Sequence, residues 1–182
     1  GLRRSEILGL RWLDIDFETG TLQIRHKVAE VRINGKRQLV RSNDLKTEAS
    51  RRAFPLSDDI RQRLERRKAQ IEENRAKKRR YRTADADYVF VDANGKLLSP
   101  EYVSDHFRWR IAHSDLPKIR FHDLRHTCAT LLLHEGCSLR EIQSYLGHAS
   151  YLTTTRYAHI DARSKEHALE IMSAVLNVDK DN

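Results

Sequence analysis

Residues 121–127 of this chain read Phe-His-Asp-Leu-Arg-His-Thr, and the interpretation of the whole sequence starts from this stretch. It opens an apolar pattern that predicts a helix over 121–135, and Gly136 is typical of the position just beyond a helix end. On a helix, His122 and Arg125 share one face because they are three residues apart. A guanidinium binds paired phosphate oxygens and stays charged at any working pH, and an imidazole beside it can exchange a proton. The stretch therefore predicts a helix that presents groups suited to phosphoryl chemistry.

The composition favours a globular domain with a polyanionic partner. The chain has 182 residues, of which 39% are hydrophobic and 33% charged, which is too apolar for a disordered tail and too polar for a membrane protein. Its 34 Lys and Arg against 26 Asp and Glu give a net charge of +8, which points to nucleic acid. Two cysteines cannot form a disulfide framework or a four-ligand zinc site, so we expect a reducing, cytoplasmic location.

Hydrophobic patterning predicts an α+β domain that is mostly helical, with a small antiparallel sheet near the N-terminus. Period-two alternation and turn residues predict hairpins and short strands at 14–25, 28–40, 51–56 and 88–91. The strongest turn signal is Asn34-Gly35. Periodicity and capping residues predict helices near residues 1, 57, 99, 121, 138 and 150, and an amphipathic last helix at 168–178. Ser57, Ser99 and Ser138 are expected to cap their helices.

Four further stretches carry residue types that suit the same chemistry. They are Gly-Leu-Arg-Arg-Ser-Glu at 1–6, Leu-Lys-Thr at 45–47, Leu-Gly-His at 146–148 and Thr-Thr-Arg-Tyr at 154–157. Arginine forks stabilise charge on phosphate oxygens, and a lysine can donate a proton to a leaving alkoxide. A histidine can accept the proton of a tyrosine, whose unperturbed pKa of about 10 makes it a poor nucleophile without help. Together with 121–127, these stretches predict attack by a tyrosine oxygen on a phosphodiester.

In their order along the chain, these five stretches resemble the catalytic domain of the tyrosine recombinases, the phage integrase family. The resemblance implies site-specific cutting and rejoining of double-stranded DNA, as in integration by a mobile element or prophage, at the nucleoid of a bacterial cell. It implies a 3′-phosphotyrosine intermediate, a free 5′-hydroxyl and a Holliday junction, with no metal, ATP or other cofactor. It also implies a homotetramer on two duplexes, with each C-terminal helix docked in trans on a neighbour.

The resemblance assigns phosphate binding to three residues and orientation to a fourth. Arg3 and Arg125 match the arginines that hold the scissile phosphate, and His148 matches a hydrogen-bond donor to it. Glu6 matches the acidic residue beside the first arginine, which implies a structural or orienting role. Taken singly, Arg3 also fits a surface helix arginine, and His148 after Gly147 fits a cation at a helix C-terminus.

Proton transfer is assigned to a lysine and a histidine. Lys46 matches the general acid for the leaving 5′-oxygen, and Lys36 in the preceding turn is the competing candidate. His122 matches the candidate proton acceptor, whereas His126 is expected to serve structure rather than chemistry. The two histidines have the spacing of zinc ligands, but no Glu of a His-Glu-x-x-His motif lies between them and no third ligand has motif spacing.

The resemblance assigns the nucleophile to Tyr157. Tyr145 and Tyr151 lie nearby, but Tyr157 alone has the Thr-Thr-x-Tyr context. We expect His148 at one helix end and Tyr157 on the next helix to face one pocket.

The resemblance covers nearly the whole chain, so residues 1–182 are expected to form one catalytic domain. The sequence opens inside a helical pattern without an initiator Met, which suggests a fragment that lacks an N-terminal DNA-clamping domain. The basic helix at 61–82 is unusually rich in Arg and Lys, and it fits either a solvated face or contacts with phosphate.

Three other function classes use some of these residues. A type IB topoisomerase shares the chemistry but needs no second duplex, and a DNA-binding module would carry an inactive site. A phosphodiesterase or RNA-cleaving enzyme would use His and Lys without a covalent tyrosine, so it would survive replacement of Tyr157 by Phe. Every expected catalytic position is filled, so nothing in the sequence favours the inactive DNA-binding module.

Overall fold

The computed structural model describes residues 1–43, 51–148, 150–155 and 157. Lys46 and its Leu-Lys-Thr stretch lie outside the described residues, as does the amphipathic segment at 168–178. The chain divides into two compact units, one from Leu2 to Arg125 and one that begins at His126 and includes Gly1. The single catalytic domain expected for residues 1–182 stays a prediction. No described helix is long and apolar enough to cross a membrane.

Helices and short strands follow one another in the order that the α+β prediction requires. The elements are α1 (Arg4–Gly9), β1 (Ile15–Asp16), β2 (Thr21–Ile24), β3 (Lys27–Ile33), β4 (Lys36–Ser42), β5 (Arg52–Pro55), α2 (Asp58–Lys77), α3 (Pro100–Ala112), α4 (Asp123–His134), α5 (Leu139–Leu146) and α6 (Tyr151–Thr154). A short 3-10 turn, Trp12–Asp14, joins α1 to β1. The predicted class, mostly helical with antiparallel strands near the N-terminus, is confirmed.

A three-stranded antiparallel sheet lies at the centre of the Leu2–Arg125 unit. Strand β2 lies between β1 and β5 and is antiparallel to both. Leu22 and Ile24 are buried on the same face of β2, because successive side chains of a strand point to opposite faces. They share a core with Leu64 of α2 and Val89. Burial of each such side chain stabilises the fold by about 1.5–3 kcal/mol, and this face therefore holds the sheet against α2.

The β3–β4 hairpin forms a second sheet of its own, so the strands are divided between two sheets rather than joined in one. Its turn residues, Asn34 and Gly35, have φ angles of 52° and 75°. Positive φ at both positions is what a two-residue hairpin turn with the right twist requires. The hairpin predicted from Asn34-Gly35 is confirmed.

Residues 88–91 are largely buried, but they do not form the predicted strand. They make only isolated bridges, at Tyr88 and at Val91. The Arg67 guanidinium of α2 donates hydrogen bonds to the carbonyl of Val89, at 3.1 Å, and to that of Val91. Buried backbone carbonyls need hydrogen-bond donors. The Arg67 side chain thus supplies donors that a neighbouring strand would otherwise provide.

The helix starts follow the predicted capping residues with one exception. Ser99 Oγ accepts a hydrogen bond from the Tyr102 N–H at 3.1 Å at the start of α3. At the start of α5, Ser138 Oγ accepts from the Glu141 N–H at 3.3 Å, and Glu141 Oε2 accepts from the Ser138 N–H at 2.7 Å. Ser57 occupies the position before α2, but its side chain makes no capping hydrogen bond.

An apolar core joins the helices of the unit that begins at His126. Ala129 and Leu133 of α4 are buried with Ile142 and Leu146 of α5, and with Tyr157. Helix α4 ends before Gly136, whose φ is 90°, and α5 ends at Gly147, whose φ is 66°. Both glycines adopt the left-handed conformation that terminates helices. This core fixes the position of Tyr157 relative to α4 and α5.

Candidate active site

A buried carboxylate holds two arginines in the Leu2–Arg125 unit. Glu6 lies in the first turn of α1 and is 3% exposed. Its Oε1 accepts a hydrogen bond from Arg3 Nη1 at 2.6 Å, and its Oε2 accepts from Arg52 Nη2 at 2.9 Å. Oε2 also accepts from the Arg3 backbone N–H at 2.8 Å, which satisfies a donor at the helix start. This geometry fits the orienting role predicted for Glu6.

The neighbours of Glu6 keep it ionised. Burial raises the pKa of its carboxyl, but hydrogen bonds from Arg52 and Arg3, together with the charge of Arg52, outweigh burial and lower the pKa below its ordinary value of 4.5. The carboxylate is therefore charged at neutral pH. Charge-assisted hydrogen bonds to a guanidinium on either side restrict the orientation of both arginines.

Arg52 is a site residue that the sequence analysis missed. Its side chain is only 8% exposed and comes from the first residue of β5. Strand alternation places it on the same side as Phe54, and its guanidinium carbon lies 5.3 Å from the centre of the Phe54 ring. A sequence signal was available, since an arginine two residues before a strand phenylalanine points towards the protein interior.

Arg3 and His122 line one cleft of about 880 Å³ in the Leu2–Arg125 unit. Further basic side chains line this cleft: Arg4, Arg108, Lys118 and Arg120. Phe107 and Phe121 form part of its wall, with ring centres 5.4 Å apart. The Arg3 side chain is 35% exposed. The structure thus brings two of the predicted site residues to one cationic cleft, a surface that suits a phosphate backbone.

The helix predicted from Phe121 begins two residues later, so His122 lies before α4 and the prediction that it shares a helix with Arg125 is wrong. Residues 121–122 form a turn, and α4 begins at Asp123. The Asp123 carboxylate accepts a hydrogen bond from the Arg120 N–H at 2.7 Å, which stabilises a turn instead of a further helical turn. His122 is exposed in this turn, whereas Arg125, within the first turn of α4, is 5% exposed.

His148 lies two residues after the end of α5, and Thr154 of α6 fixes its ring. The His148 N–H donates to the Gln143 carbonyl at 3.0 Å, which continues the hydrogen bonds of the helix end. Ring atom Nδ1 lies 2.9 Å from Thr154 Oγ1, and the two residues are 7% and 0% exposed. This contact uses Nδ1 and so sets the direction of Nε2, the other ring nitrogen.

Tyr157 lies just beyond α6, with its hydroxyl against a histidine of α4. Tyr157 is 7% exposed, and its Oη lies 2.6 Å from Nδ1 of His126. The two ring centres are 6.0 Å apart. The sequence predicted a purely structural role for His126 and did not predict this contact with the hydroxyl of the proposed nucleophile. His126 directly follows the motif arginine Arg125, and this adjacency is the sequence signal that could have pointed to it.

The rival tyrosines and lysines have different surroundings. Tyr145 is 44% exposed on α5, in contrast to the buried Tyr157. Lys36, the competing general acid, is exposed at the first residue of β4. Because Lys46 lies outside the described residues, its assignment stays a prediction.

The basic run predicted at 61–82 is helical only as far as Lys77, and some of its arginines have partners within the chain. Arg61 donates to the carbonyl of Phe17, and Arg67 donates to carbonyls of the 88–91 segment. These arginines hold α2 in place. Phosphate contacts by the other cations of α2 stay a prediction.

A known family model, that of the phage integrase family, matches residues 1–164 of the chain. The chain belongs to the phage integrase family. Within the family, it is 32% identical to the tyrosine recombinase XerA of Pyrococcus furiosus over 98% of this chain and 52% of that protein. It is 28% identical to a XerC-like tyrosine recombinase of Caldanaerobacter subterraneus over 95% of this chain and 46% of that protein.

A solved structure shows the same family fold. The chain superposes on the Tn1549 transposon integrase in complex with transposon right end DNA with a TM-score of 0.68 and 22% identity. The match covers 92% of this chain and 55% of that one. The chain spans about half the length of the curated relatives that it matches.

Proposed function

We propose that this chain is the strand-cleaving and strand-joining part of a site-specific DNA recombinase. Its substrate is double-stranded DNA, and its nucleophile is Tyr157. The reaction proceeds through a 3′-phosphotyrosine and a Holliday junction, uses no metal or ATP, and takes place in the cytoplasm on chromosomal or mobile-element DNA.

The arrangement of Arg3 around Glu6 carries this proposal. A guanidinium that is held by a buried carboxylate, and is a third exposed in a basic cleft with His122, is oriented before a phosphate arrives. Preorganised cations aimed at developing charge are a major source of catalysis in phosphoryl transfer. Arg125 is the second arginine of this proposal, and its burial means that a phosphate it binds is largely desolvated.

The other site residues act as nucleophile, general acid, hydrogen-bond donor and proton acceptor. Tyr157 Oη attacks the phosphorus, and the bond from phosphorus to the 5′-oxygen breaks. Lys46 donates a proton to the departing 5′-oxygen. His148 hydrogen-bonds a non-bridging oxygen through Nε2, since its Nδ1 contacts Thr154. His122, exposed in the cleft with Arg3, is the candidate proton acceptor that the motif position assigns.

Assembly extends the proposal to four chains on two duplexes. The amphipathic segment at 168–178 docks on a neighbouring chain and couples the active sites. Truncation after Ile160 is then expected to weaken assembly on DNA, measured by native gel shift. A truncated chain that assembles and cleaves as well as the parent would contradict this part.

Covalent capture tests the proposed activity. The chain is mixed with a pool of nicked duplexes, in which the cleaved strand loses its 5′-hydroxyl fragment by diffusion, and a denaturing gel then detects the adduct. We expect an adduct from the parent chain and none from Tyr157→Phe. Tyr145→Phe is the matched control, because Tyr145 is an exposed tyrosine of α5 in the same unit.

Three results would contradict the proposal. An adduct that persists in Tyr157→Phe would exclude Tyr157 as the nucleophile. Cleavage products without any adduct would indicate a hydrolase. Relaxation of supercoils by a chain that never exchanges strands between duplexes would instead indicate a type IB topoisomerase.

A further inference from the structure

We propose that His126 accepts the phenolic proton of Tyr157 during strand cleavage and returns it during rejoining. The inference deepens the proposed function and rests on it, because it concerns the same nucleophile. It transfers the role of proton acceptor from His122, the candidate favoured by sequence, to His126.

The distance between the two side chains supports direct proton transfer. Tyr157 Oη and His126 Nδ1 are 2.6 Å apart, within the reach required of a general base. In the tautomer that carries its proton on Nε2, Nδ1 accepts a hydrogen bond from the tyrosine hydroxyl. Tyrosines ionise near pH 10 and histidines near 6.5 in water, so an adjacent neutral imidazole is the natural acceptor for a phenol that must attack at neutral pH.

The surroundings hold this pair in place. His126 belongs to α4, two turns before Leu133, and both Leu133 and Tyr157 lie in the apolar core of the same unit. A rigid helix and a packed phenol keep the nucleophile and the base at a fixed separation, which is how proximity contributes to catalysis. The contact also satisfies a buried hydroxyl, so a purely structural role is the alternative that an experiment must separate.

Strand cleavage transfers two protons, one from Tyr157 to His126 and one from Lys46 to the leaving 5′-oxygen. The O–H bond of Tyr157 breaks, its proton moves to His126 Nδ1, and the phenolic oxygen forms a bond to phosphorus. The bond from phosphorus to the 5′-oxygen breaks, and that oxygen takes a proton from the Lys46 ammonium. In rejoining, an attacking 5′-hydroxyl returns its proton to Lys46, and the imidazolium returns its proton to the leaving phenolate.

The experiment measures single-turnover adduct formation on nicked duplexes by the parent chain, His126→Gln, His126→Ala and Lys46→Ala. Glutamine keeps a hydrogen-bonding group near Tyr157 but cannot take up the proton. The matched control is His134→Gln, which alters an exposed histidine of the same helix. Each variant is also tested on DNA whose scissile 5′-bridging oxygen is replaced by sulfur. A thiolate leaves without a proton, so this substrate removes the need for a general acid and leaves the need for a base.

We expect His126→Gln to form the adduct about 100-fold more slowly than the parent, and His134→Gln to match it. Added imidazole should restore part of the rate of His126→Ala. On the sulfur substrate, Lys46→Ala should regain its rate, whereas His126→Gln should stay slow.

Three results would overturn the inference while the parent still forms an adduct on Tyr157. The first is a His126→Gln rate within a few-fold of the parent. The second is recovery of His126→Gln on the sulfur substrate, which would place His126 at the leaving group. The third is a rate loss in His126→Ala that imidazole does not restore, together with a lower melting temperature, which would assign His126 to packing. Absence of an adduct from the parent chain would instead contradict the proposed function itself.

Discussion

Glu6 Oε1 and Arg3 Nη1 lie 2.6 Å apart, and this ion pair joins a carboxylate that is 3% exposed to an arginine that is 35% exposed. The carboxylate is the fixed partner, and the arginine extends towards solvent and the cleft. Arg52 holds the other side of the same carboxylate. The orientation of Arg3 therefore depends on a residue that never needs to touch DNA.

Replacement of Glu6 by Gln should impair both stability and strand cleavage. Loss of one partner from a buried ion pair leaves the guanidinium of Arg52 uncompensated and costs about 3 kcal/mol. Urea unfolding monitored by circular dichroism measures this cost. Cleavage by the folded variant should fall at least 10-fold, with DNA binding less affected. Glu65→Gln, on the exposed face of α2, is the control and should change neither quantity.

The same carboxyl predicts how stability depends on pH. The folded-state pKa of Glu6 lies below its ordinary value of 4.5, so folding favours the ionised form. Its contribution to the free energy of unfolding is fully present above pH 4.5 and is lost as the pH falls through the lower, folded-state pKa. Urea unfolding between pH 7 and pH 3 should show the parent chain losing more stability than Glu6→Gln. Equal losses in the two proteins would mean that Glu6 is not the group responsible.

Local signals in the sequence predicted much of the fold. Asn34-Gly35 specified the hairpin turn, and the pair Ser138 and Glu141 specified the start of α5, because each signal acts between residues close along the chain. The strand predicted at 88–91 failed because its carbonyl partner is the side chain of Arg67, more than 20 residues away along the chain. Long-range polar contacts of this kind leave no local periodicity.

In the candidate site, too, local motifs were readable from the sequence and long-range contacts were not. Motif order predicted Arg3, His148 and Tyr157 as site residues, and the structure gives each a defined environment. Motif order could not point to Arg52 or His126, because Arg52 contacts Glu6 and His126 contacts Tyr157 only in the folded chain. Arg52 lies in the predicted short strand at 51–56, and His126 directly follows the motif arginine Arg125.

Arg67→Met should destabilise the Leu2–Arg125 unit without a direct effect on chemistry. The substitution keeps much of the apolar length of the side chain but removes the donors to the Val89 and Val91 carbonyls. Each buried acceptor left without a donor costs about 1–3 kcal/mol, so we expect a loss of about 2–4 kcal/mol in urea unfolding. Arg66→Met, which alters an exposed neighbour, should cost less than about 0.5 kcal/mol. Equal effects of the two substitutions would contradict the role assigned to Arg67.

Thr154→Val should slow cleavage by releasing the ring of His148. Valine has nearly the same shape as threonine but lacks the Oγ1 atom, which lies 2.9 Å from His148 Nδ1. Loss of a partner that orients a site histidine should lower the single-turnover cleavage rate about 10-fold, the lower end of the about 10–100-fold losses that follow removal of the outer partners of metal-binding histidines. Thr153→Val, at an exposed position one residue earlier, should leave the rate unchanged. A Thr154→Val rate equal to that of the control would show that His148 needs no such support.

Mass spectrometry of the trapped adduct identifies the nucleophilic residue itself. The parent chain is captured on a nicked duplex, the DNA is trimmed by nuclease, and the protein is digested to peptides. The account predicts that the mass of the remaining 3′-nucleotide is attached to Tyr157. Attachment to Tyr145, to Tyr151 or to a residue other than tyrosine would contradict it.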